Sequence, residues 1–335
     1  MRIKMAADED RELTDVLKEF LTLKASNNCA RKTIHNYEQS ILKLQKDEAI
    51  EKISELTDET IIDWKKRMLD SSLSASSINH YLRDVRAFVN YCISKHYIPF
   101  FQFELIKQQE EGIKFLPNTD IEKLLEKPLK TETFPTWRSW MIVNWVYATG
   151  NRESTICEVR LSDVDFSGSR IYLRHTKSRK LQTIPLSRTL ASYLKEYIRY
   201  FRKNCPPTAY LFPSIGDTKL TTDGLRRGYA RYCKSRGVSN TSLHGIRHTF
   251  AQEWINNNGN LYQLQIMLGH STPTMTQKYL RAVGTRFDSF EDFNPLDKAR
   301  TASRTKEVVL SVRESITNDK NDNPQIVVIP PENGE

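Results

Sequence analysis

The segment WRSWMIVNWVYATG, residues 137–150, most restricts what this chain can fold into. Wound as a helix it is apolar on nearly every side, and such a helix must be enclosed on all faces. It is the expected central core helix of a domain, and Gly150 is its expected stop, because glycine takes the left-handed conformation at a helix C-terminus. A domain built around it needs amphipathic partners, and the flanking sequence supplies them.

Ahead of it, residues 11–98 show helical periodicity only. Leu13, Val16, Leu17, Phe20 and Leu21 fall at i, i+3, i+4, i+7 and i+8, one face of a helix. Ile34, Tyr37, Ile41 and Leu44 repeat the pattern. A third helix is expected from Thr57, an N-cap residue followed by acids, burying Ile61, Trp64, Met68 and Leu69. A fourth follows SSLSASS, with Ile78, Tyr81, Leu82, Val85, Phe88, Val89 and Cys92 inward. Four helices joined by short polar loops make a bundle. Residues 99–116 read as a linker, since Pro99 ends the fourth helix. A second domain, residues 117–286, then opens with a short helix that Asn118 or Thr119 is expected to cap.

After Gly150 the period changes. Ile171, Leu173 and His175 alternate, a basic tip follows, and Thr183-Ile184-Pro185-Leu186 returns, which reads as a β-hairpin. From Arg188 the pattern is mostly helical, with a loop at CPPTAYLFPSIGD. Residues 287–335 form a tail in which KEVVLSVRE and QIVVIPP are short strand candidates between linker-like segments. The fold class is therefore mainly α with one small hairpin or sheet.

The net charge is +9, distributed unevenly. Residues 285–335 carry 7 Lys and Arg against 10 Asp and Glu, which leaves +12 on residues 1–284. A basic body suits a polyanion, because phosphate neutralisation dominates nucleic-acid affinity. Arg31, Lys32, Lys65, Lys66, Arg67, Arg83 and Arg86 of the helical unit are the candidates for a DNA-facing side, although any one of them alone reads as a solvated charge. The five cysteines are scattered, with no CxxC pair, which points to a reducing, cytoplasmic setting without a disulfide framework or a zinc site. No run approaches the roughly 18 apolar residues of a membrane span, and the charged N-terminus lacks the apolar core of a secretory signal.

Six residues of the second domain could do chemistry. Arg152 directly follows the core helix, and Lys177 stands at the hairpin tip. His244 and Arg247 are three apart in HGIRHTF, on one helical face. His270 and Tyr279 are nine residues apart in LGHSTPTMTQKYLR. Two guanidinium forks hold the non-bridging oxygens of a phosphate. A lysine on a hairpin can protonate a leaving oxygen, and a histidine can move a proton near neutral pH. A tyrosine can form a covalent intermediate if its surroundings favour the phenolate. No carboxylate cluster for magnesium and no GxxxxGK[ST] loop is present. The set suits phosphoryl transfer without a metal or nucleotide cofactor. Each member alone has a bland reading: a helix-end charge, a solvated lysine, a satisfied core histidine, a bonded tyrosine. The last-but-one is the reading kept for His248.

In order and wording these segments resemble the tyrosine recombinase family, the phage integrases and Xer-type recombinases. YATGNRESTICEVRLSDVDF resembles the family's first-arginine box, HTKSRKLQTIPLS its lysine hairpin, LHGIRHTFAQEW its HxxR box and LGHSTPTMTQKYLR its histidine–tyrosine segment. Residues 11–98 resemble its helical core-binding domain.

The resemblance implies two domains forming a C-shaped clamp on double-stranded DNA, with a dimer on each site and a tetramer when two sites pair. Arg152 and Arg247 would clamp the scissile phosphate, Lys177 would protonate the 5′-oxygen, His244 would transfer a proton, His270 would bond a phosphate oxygen, and Tyr279 would attack. The tail, KEVVLSVRE above all, would pack into a neighbouring subunit. Accessory DNA-bending or directionality proteins, and a nucleoid-associated location in the cytoplasm, are further expectations. The family usually has an acid three residues after its first arginine. Thr155 stands there instead, which implies a less ordered site or compensation by Glu158. The helical unit starts within about ten residues of Met1, which leans toward a simple Xer-like machine and away from an integrase with an arm-binding domain. Two other readings stay open: relaxation of supercoils in the manner of a type IB topoisomerase, and a DNA-binding accessory protein or repressor that has lost catalysis.

Overall fold

A computed structural model describes residues 10–107, 112–174, 176 and 181–283. The chain separates into two compact units that divide between Glu111 and Gly112.

Among its described residues the first unit holds four α-helices: α1 Leu13–Ser26, α2 Arg31–Glu48, α3 Asp58–Leu69 and α4 Ala75–Ser94. Each turns its apolar stripe inward. Leu13, Val16, Leu17 and Phe20 of α1 meet Ile41 and Leu44 of α2 and the Ile78-to-Cys92 face of α4 in one core. Thr57 caps α3 as its position suggested, accepting from the Thr60 amide, and Ser74 caps α4 by accepting from Ser77. Leu69 departs from expectation. It stands at the last position of α3, past the Ile61–Trp64–Met68 stripe, and is 52% exposed.

The segment after α4 is more than a spacer. Phe101, Phe103, Leu105 and Ile106 pack on the first core. Asn79 secures them from within α4, donating to Ile106 O at 2.9 Å and accepting from Ile106 N at 2.8 Å. Past the division, Ile113, Phe115 and Leu116 pack on the second core.

The second unit contains α5 Asn118–Leu125, α6 Phe134–Thr149, a short α7 Glu153–Ile156, strands β1 Val164–Asp165, β2 Arg170–Leu173 and β3 Gln182–Pro185, then α8 Arg188–Phe201, α9 Thr222–Ser235, α10 Leu243–Asn256, α11 Leu261–Leu268 and α12 Pro273–Val283. The apolar helix α6 is the centre, in contact with α5, α8, α9 and α10. Trp137, Trp140, Met141, Val143, Trp145 and Val146, which point to different sides of it, are all buried. Gly150 ends it at φ 64. A Cβ there would lie 2.6 Å from Phe250 Cδ1 and 2.7 Å from Leu268 Cδ2, so both the left-handed turn and the packing require glycine. The N-terminus of α5 corrects an expectation. Pro117 occupies the cap position and no side chain caps the helix, while Asp120 in the first turn complements the dipole.

The hairpin is part of a three-stranded antiparallel sheet in the order β1-β2-β3. Ile171, Leu173 and Ile184 bury their side chains, as the alternation required. His175, the tip at residues 177–180 and the tail from residue 284 on, with its two strand candidates, lie outside the described residues. All five cysteines are free thiols. Among the described residues, no helix is long and apolar enough to cross a membrane.

Candidate active site

Arg152 is placed by the end of α6. Thr149 Oγ1 donates to Trp145 O at 2.7 Å, and Trp145 Nε1 donates to Asn151 Oδ1 at 2.9 Å, so the chain leaves the helix on a fixed path. Arg152 is the N-cap of α7, and its Nη1 donates to the carbonyls of Leu268 and Gly269 at 3.1 and 3.0 Å. These carbonyls close α11, where Gly269 takes φ 59. A Cβ at Gly269 would stand 3.0 Å from Gln182 Oε1 and 3.4 Å from Arg152 Nη1. Glycine thus suits the left-handed turn and leaves room for Gln182.

Arg247, on α10, is buried to 2% exposure. Its Nη1 donates to Gly150 O, and its Nη2 donates to Leu268 O at 2.9 Å and to His270 Nε2 at 2.9 Å. Because the guanidinium can only donate, Nε2 of His270 accepts. The remaining ring nitrogen, Nδ1, then carries the proton and bonds Thr276 Oγ1 at 2.9 Å. Burial, and next the charge of Arg247, push His270 down to about 3, so it is neutral. Burial and the neighbouring Arg152 likewise lower Arg247, to about 10.

Tyr279 lies on α12, three residues after Thr276, and both are buried. Its ring is parallel to that of His270 at 7°, with centroids 6.2 Å apart. Burial raises the phenol pKa, while Arg247 first and Arg152 after it pull it down. The two guanidinium groups are therefore close enough to act on the phenol oxygen, as a tyrosine nucleophile requires.

Of the six chemical candidates, five lie in described residues. Arg152, Arg247, His270 and Tyr279 form one cluster around the C-terminus of α11. His244 shares α10 with Arg247 but faces solvent, and its ring stands 4.4 Å from that of His248, edge to face. Partial desolvation, then the charge of Arg247, lowers its pKa. Lys177 lies outside the described residues. Its hairpin is nevertheless rooted in the site, because Gln182, which faces Leu173 across β2 and β3, donates Nε2 to Ile266 O and Met267 O.

Two readings need correction. His248 is a satisfied histidine, but its partner is the candidate nucleophile: Nδ1 lies 2.9 Å from the Tyr279 hydroxyl. The signal available beforehand was position, since His248 follows Arg247 and stands four residues from His244, on the same face. Glu158 does not compensate for Thr155, because its carboxylate pairs with Lys219, just as Glu153 pairs with Arg226 at 2.7 Å. Thr155 itself is buried. Thr276, Gln182 and Gly269 were also not anticipated. All three act through contacts with residues far from them in the chain, or through backbone conformation.

In the first unit four of the seven DNA-facing candidates have internal partners, Lys66 by pairing with Asp63 at 3.1 Å. Lys65 donates to Glu104 O at 2.8 Å, Arg67 Nε pairs with Glu48 at 3.1 Å, and Arg86 donates to Phe103 O while its guanidinium covers the Phe103 ring. Arg31, Lys32 and Arg83 are exposed.

Residues 114–285 match the phage integrase family, and residues 17–96 match the phage integrase N-terminal SAM-like domain. The tyrosine recombinase XerD of Staphylococcus haemolyticus is 26% identical over 292 residues, covering 84% of this chain and 98% of that protein. Among solved structures, the Tn1549 transposon integrase in complex with a circular intermediate DNA aligns with TM-score 0.67 at 21% identity, over 83% of this chain and 98% of that one. A lambda integrase tetramer bound to a Holliday junction aligns with TM-score 0.66 at 19% identity, over 84% of this chain and 81% of that one. With more than half of its length matched by the family's defining domain, and with that family's fold, the chain belongs to the phage integrase family of tyrosine recombinases.

Proposed function

We propose that this protein is a site-specific DNA recombinase that cuts and rejoins strands through a phosphotyrosyl intermediate at Tyr279. The observation that carries the reading is that Arg152 and Arg247 converge on the Leu268 carbonyl, Arg247 holds His270, and both guanidinium charges pull down the phenol pKa of Tyr279. In this reading a scissile phosphate takes over the fork donors that now bond backbone carbonyls, which is the exchange a bidentate anion makes favourable.

The Tyr279 oxygen then attacks phosphorus, the new O–P bond forms, and the bond to the 5′-oxygen breaks. His244 acts in the transfer of the phenol proton, and Lys177 supplies a proton to the 5′-oxygen. Arg152 and Arg247 bond the non-bridging oxygens as charge builds on them, and His270 joins them once its proton sits on Nε2, with the Thr276 hydroxyl then donating to Nδ1. The phosphotyrosine keeps the energy of the broken ester, so the 5′-hydroxyl of another strand can reverse the step without a nucleotide cofactor. The substrate is double-stranded DNA, with Arg31, Lys32 and Arg83 of the first unit as phosphate contacts. Exchange between two sites calls for a dimer on each and a tetramer at synapsis, as in the lambda integrase assembly. The biological setting is integration or excision of a mobile element, or Xer-like resolution.

The test is covalent capture. The protein is incubated with supercoiled plasmid carrying the DNA that flanks its own gene, quenched with SDS, and compared with Tyr279→Phe. A protein–DNA adduct that requires Tyr279 is the expected result. Tight binding with no adduct, on nicked as well as intact DNA, would leave a non-catalytic binder as the reading.

A further inference from the structure

The residue that touches the reacting oxygen of Tyr279 is His248, which none of the roles above employs. Its Nδ1 lies 2.9 Å from the hydroxyl, and the two rings are tilted at 54° with centroids 5.5 Å apart. The direction of this hydrogen bond follows from the surroundings. Arg247 and Arg152 both pull the phenol pKa down, so their positive charge repels the phenol proton from their side. The single phenol proton is left to point at His248. Burial, then the neighbouring His244 and Arg247, hold His248 down to about 4, so at neutral pH the ring has one bare nitrogen to receive that proton.

We propose that His248 is the positioning residue of the nucleophile: its unprotonated Nδ1 accepts the Tyr279 hydrogen bond and thereby turns an oxygen lone pair toward the guanidinium pair where the phosphate binds. The side chains lie on different helices, α10 and α12, so the bond also fixes α12 against the helix that carries Arg247. The proton stays on oxygen, because free tyrosine and histidine already differ by about 3.5 pKa units and burial raises one and lowers the other. His248 therefore aims the oxygen and leaves proton removal to the reaction itself. A misaimed phenol loses the near-attack geometry that such a step needs.

This inference rests on Tyr279 being the nucleophile, and the experiment separates the two. In single-turnover cleavage of a nicked duplex containing the break mapped with the wild type, His248→Phe removes the acceptor at similar bulk. His248→Asn keeps an acceptor oxygen near the position of Nδ1. His248→Phe is expected to slow cleavage by about 10- to 100-fold at unchanged DNA affinity, and His248→Asn to recover to within about 5-fold of wild type. A wild-type rate in His248→Phe would overturn the role. So would a His248→Asn protein that melts like the wild type yet is as slow as His248→Phe.

A second readout needs neither DNA nor a folded His248 variant. In ring-¹⁵N-histidine-labelled protein, His248 is expected to show a protonated Nε2 and a bare Nδ1 whose signal moves in Tyr279→Phe. A protonated Nδ1, or a signal that ignores Tyr279, would defeat the proposal. Absence of any wild-type adduct would instead strike the proposed function and leave the nitrogen measurement valid.

Discussion

The two units solve the problem of polar atoms in opposite ways. In the first, the buried polar side chains among the described residues are Ser40 and Asn79, and its charges lie on the surface. The second buries Arg138, Asp163, Arg202 and Arg247 beside several threonines and asparagines. Each of these four charged groups finds a partner: Arg138 donates to Pro213 O, Asp163 accepts from Arg160 N and Arg174 Nε, Arg202 pairs with Asp217, and Arg247 donates to two carbonyls and an imidazole. Burying charge is costly unless it is paired. The second unit sustains that cost around its large core, and at Arg247 it gains a preorganised donor in low dielectric. The first unit is an apolar bundle on whose surface Arg31, Lys32 and Arg83 are exposed. In the proposed function one unit binds and the other positions.

The largest effects should come from the buried cluster. Tyr279→Phe should abolish covalent adducts, a loss of at least about 10³-fold, while shifting thermal stability by no more than about 1 kcal/mol. Retained adducts would place the nucleophile elsewhere.

Arg247→Ala should cost both functions of the buried arginine. Cleavage should fall by at least about 10²-fold, and chemical denaturation should show a loss of about 1–3 kcal/mol from the unpaired Gly150 carbonyl and His270 Nε2. Arg83→Ala on the first unit should stay within about 0.5 kcal/mol of wild type. If the two arginines proved equally important for stability, the contrast between the units would collapse.

A smaller effect is expected with pH. His248 and His270 are neutral when folded, with pKa values of about 4 and about 3, against about 6.5 when unfolded. Their contribution to stability is complete above about pH 6.5. Below it the unfolded rings take up protons that the folded ones refuse, so stability falls as the pH drops toward 4, by of order 1 kcal/mol per unit for each. Thermal melts between pH 7.5 and 5 should show this slope, and it should flatten in His248→Phe and His270→Gln. An unchanged slope in both would show that these rings are not held neutral.

Gly269→Ala should destabilise the fold by about 1 kcal/mol through its left-handed backbone and crowd Gln182 Oε1, 3.0 Å from the new Cβ. Cleavage should slow by about 10-fold, with DNA affinity retained. An unchanged rate would show that Gln182 does not hold the hairpin to the site.

The smallest changes should come from Arg31→Ala, Lys32→Ala and Arg83→Ala, which leave the melting temperature in place. Each should lower the slope of log affinity against log salt by about 0.9 if it meets a phosphate. An unchanged slope in all three would remove the first unit's exposed charges from the DNA contact.

Much of this architecture was legible in the linear order of residues, for a physical reason. Apolar side chains recurring every 3.6 residues have one face to bury, so the α1 and α4 stripes, the all-round apolar α6 and the Ile171–Leu173 alternation could be read locally. Gly150 was legible as a stop because a single residue type suits its backbone angle. Candidate chemistry was legible as residue types in order: Arg152, Lys177, His244, Arg247, His270, Tyr279. What local pattern does not encode is which of two neighbours on a helix turns inward. Arg247 is buried and His244 faces solvent, although both stand on α10. The diversion of Glu158 to Lys219 and the bond from Tyr279 to His248 were likewise decided by partners distant in sequence. Hydrogen bonds and ion pairs are short-ranged and directional, so their pairing exists only once the helices have packed. Burial periodicity belongs to the chain, and the hydrogen-bonded arrangement of the site belongs to the tertiary structure.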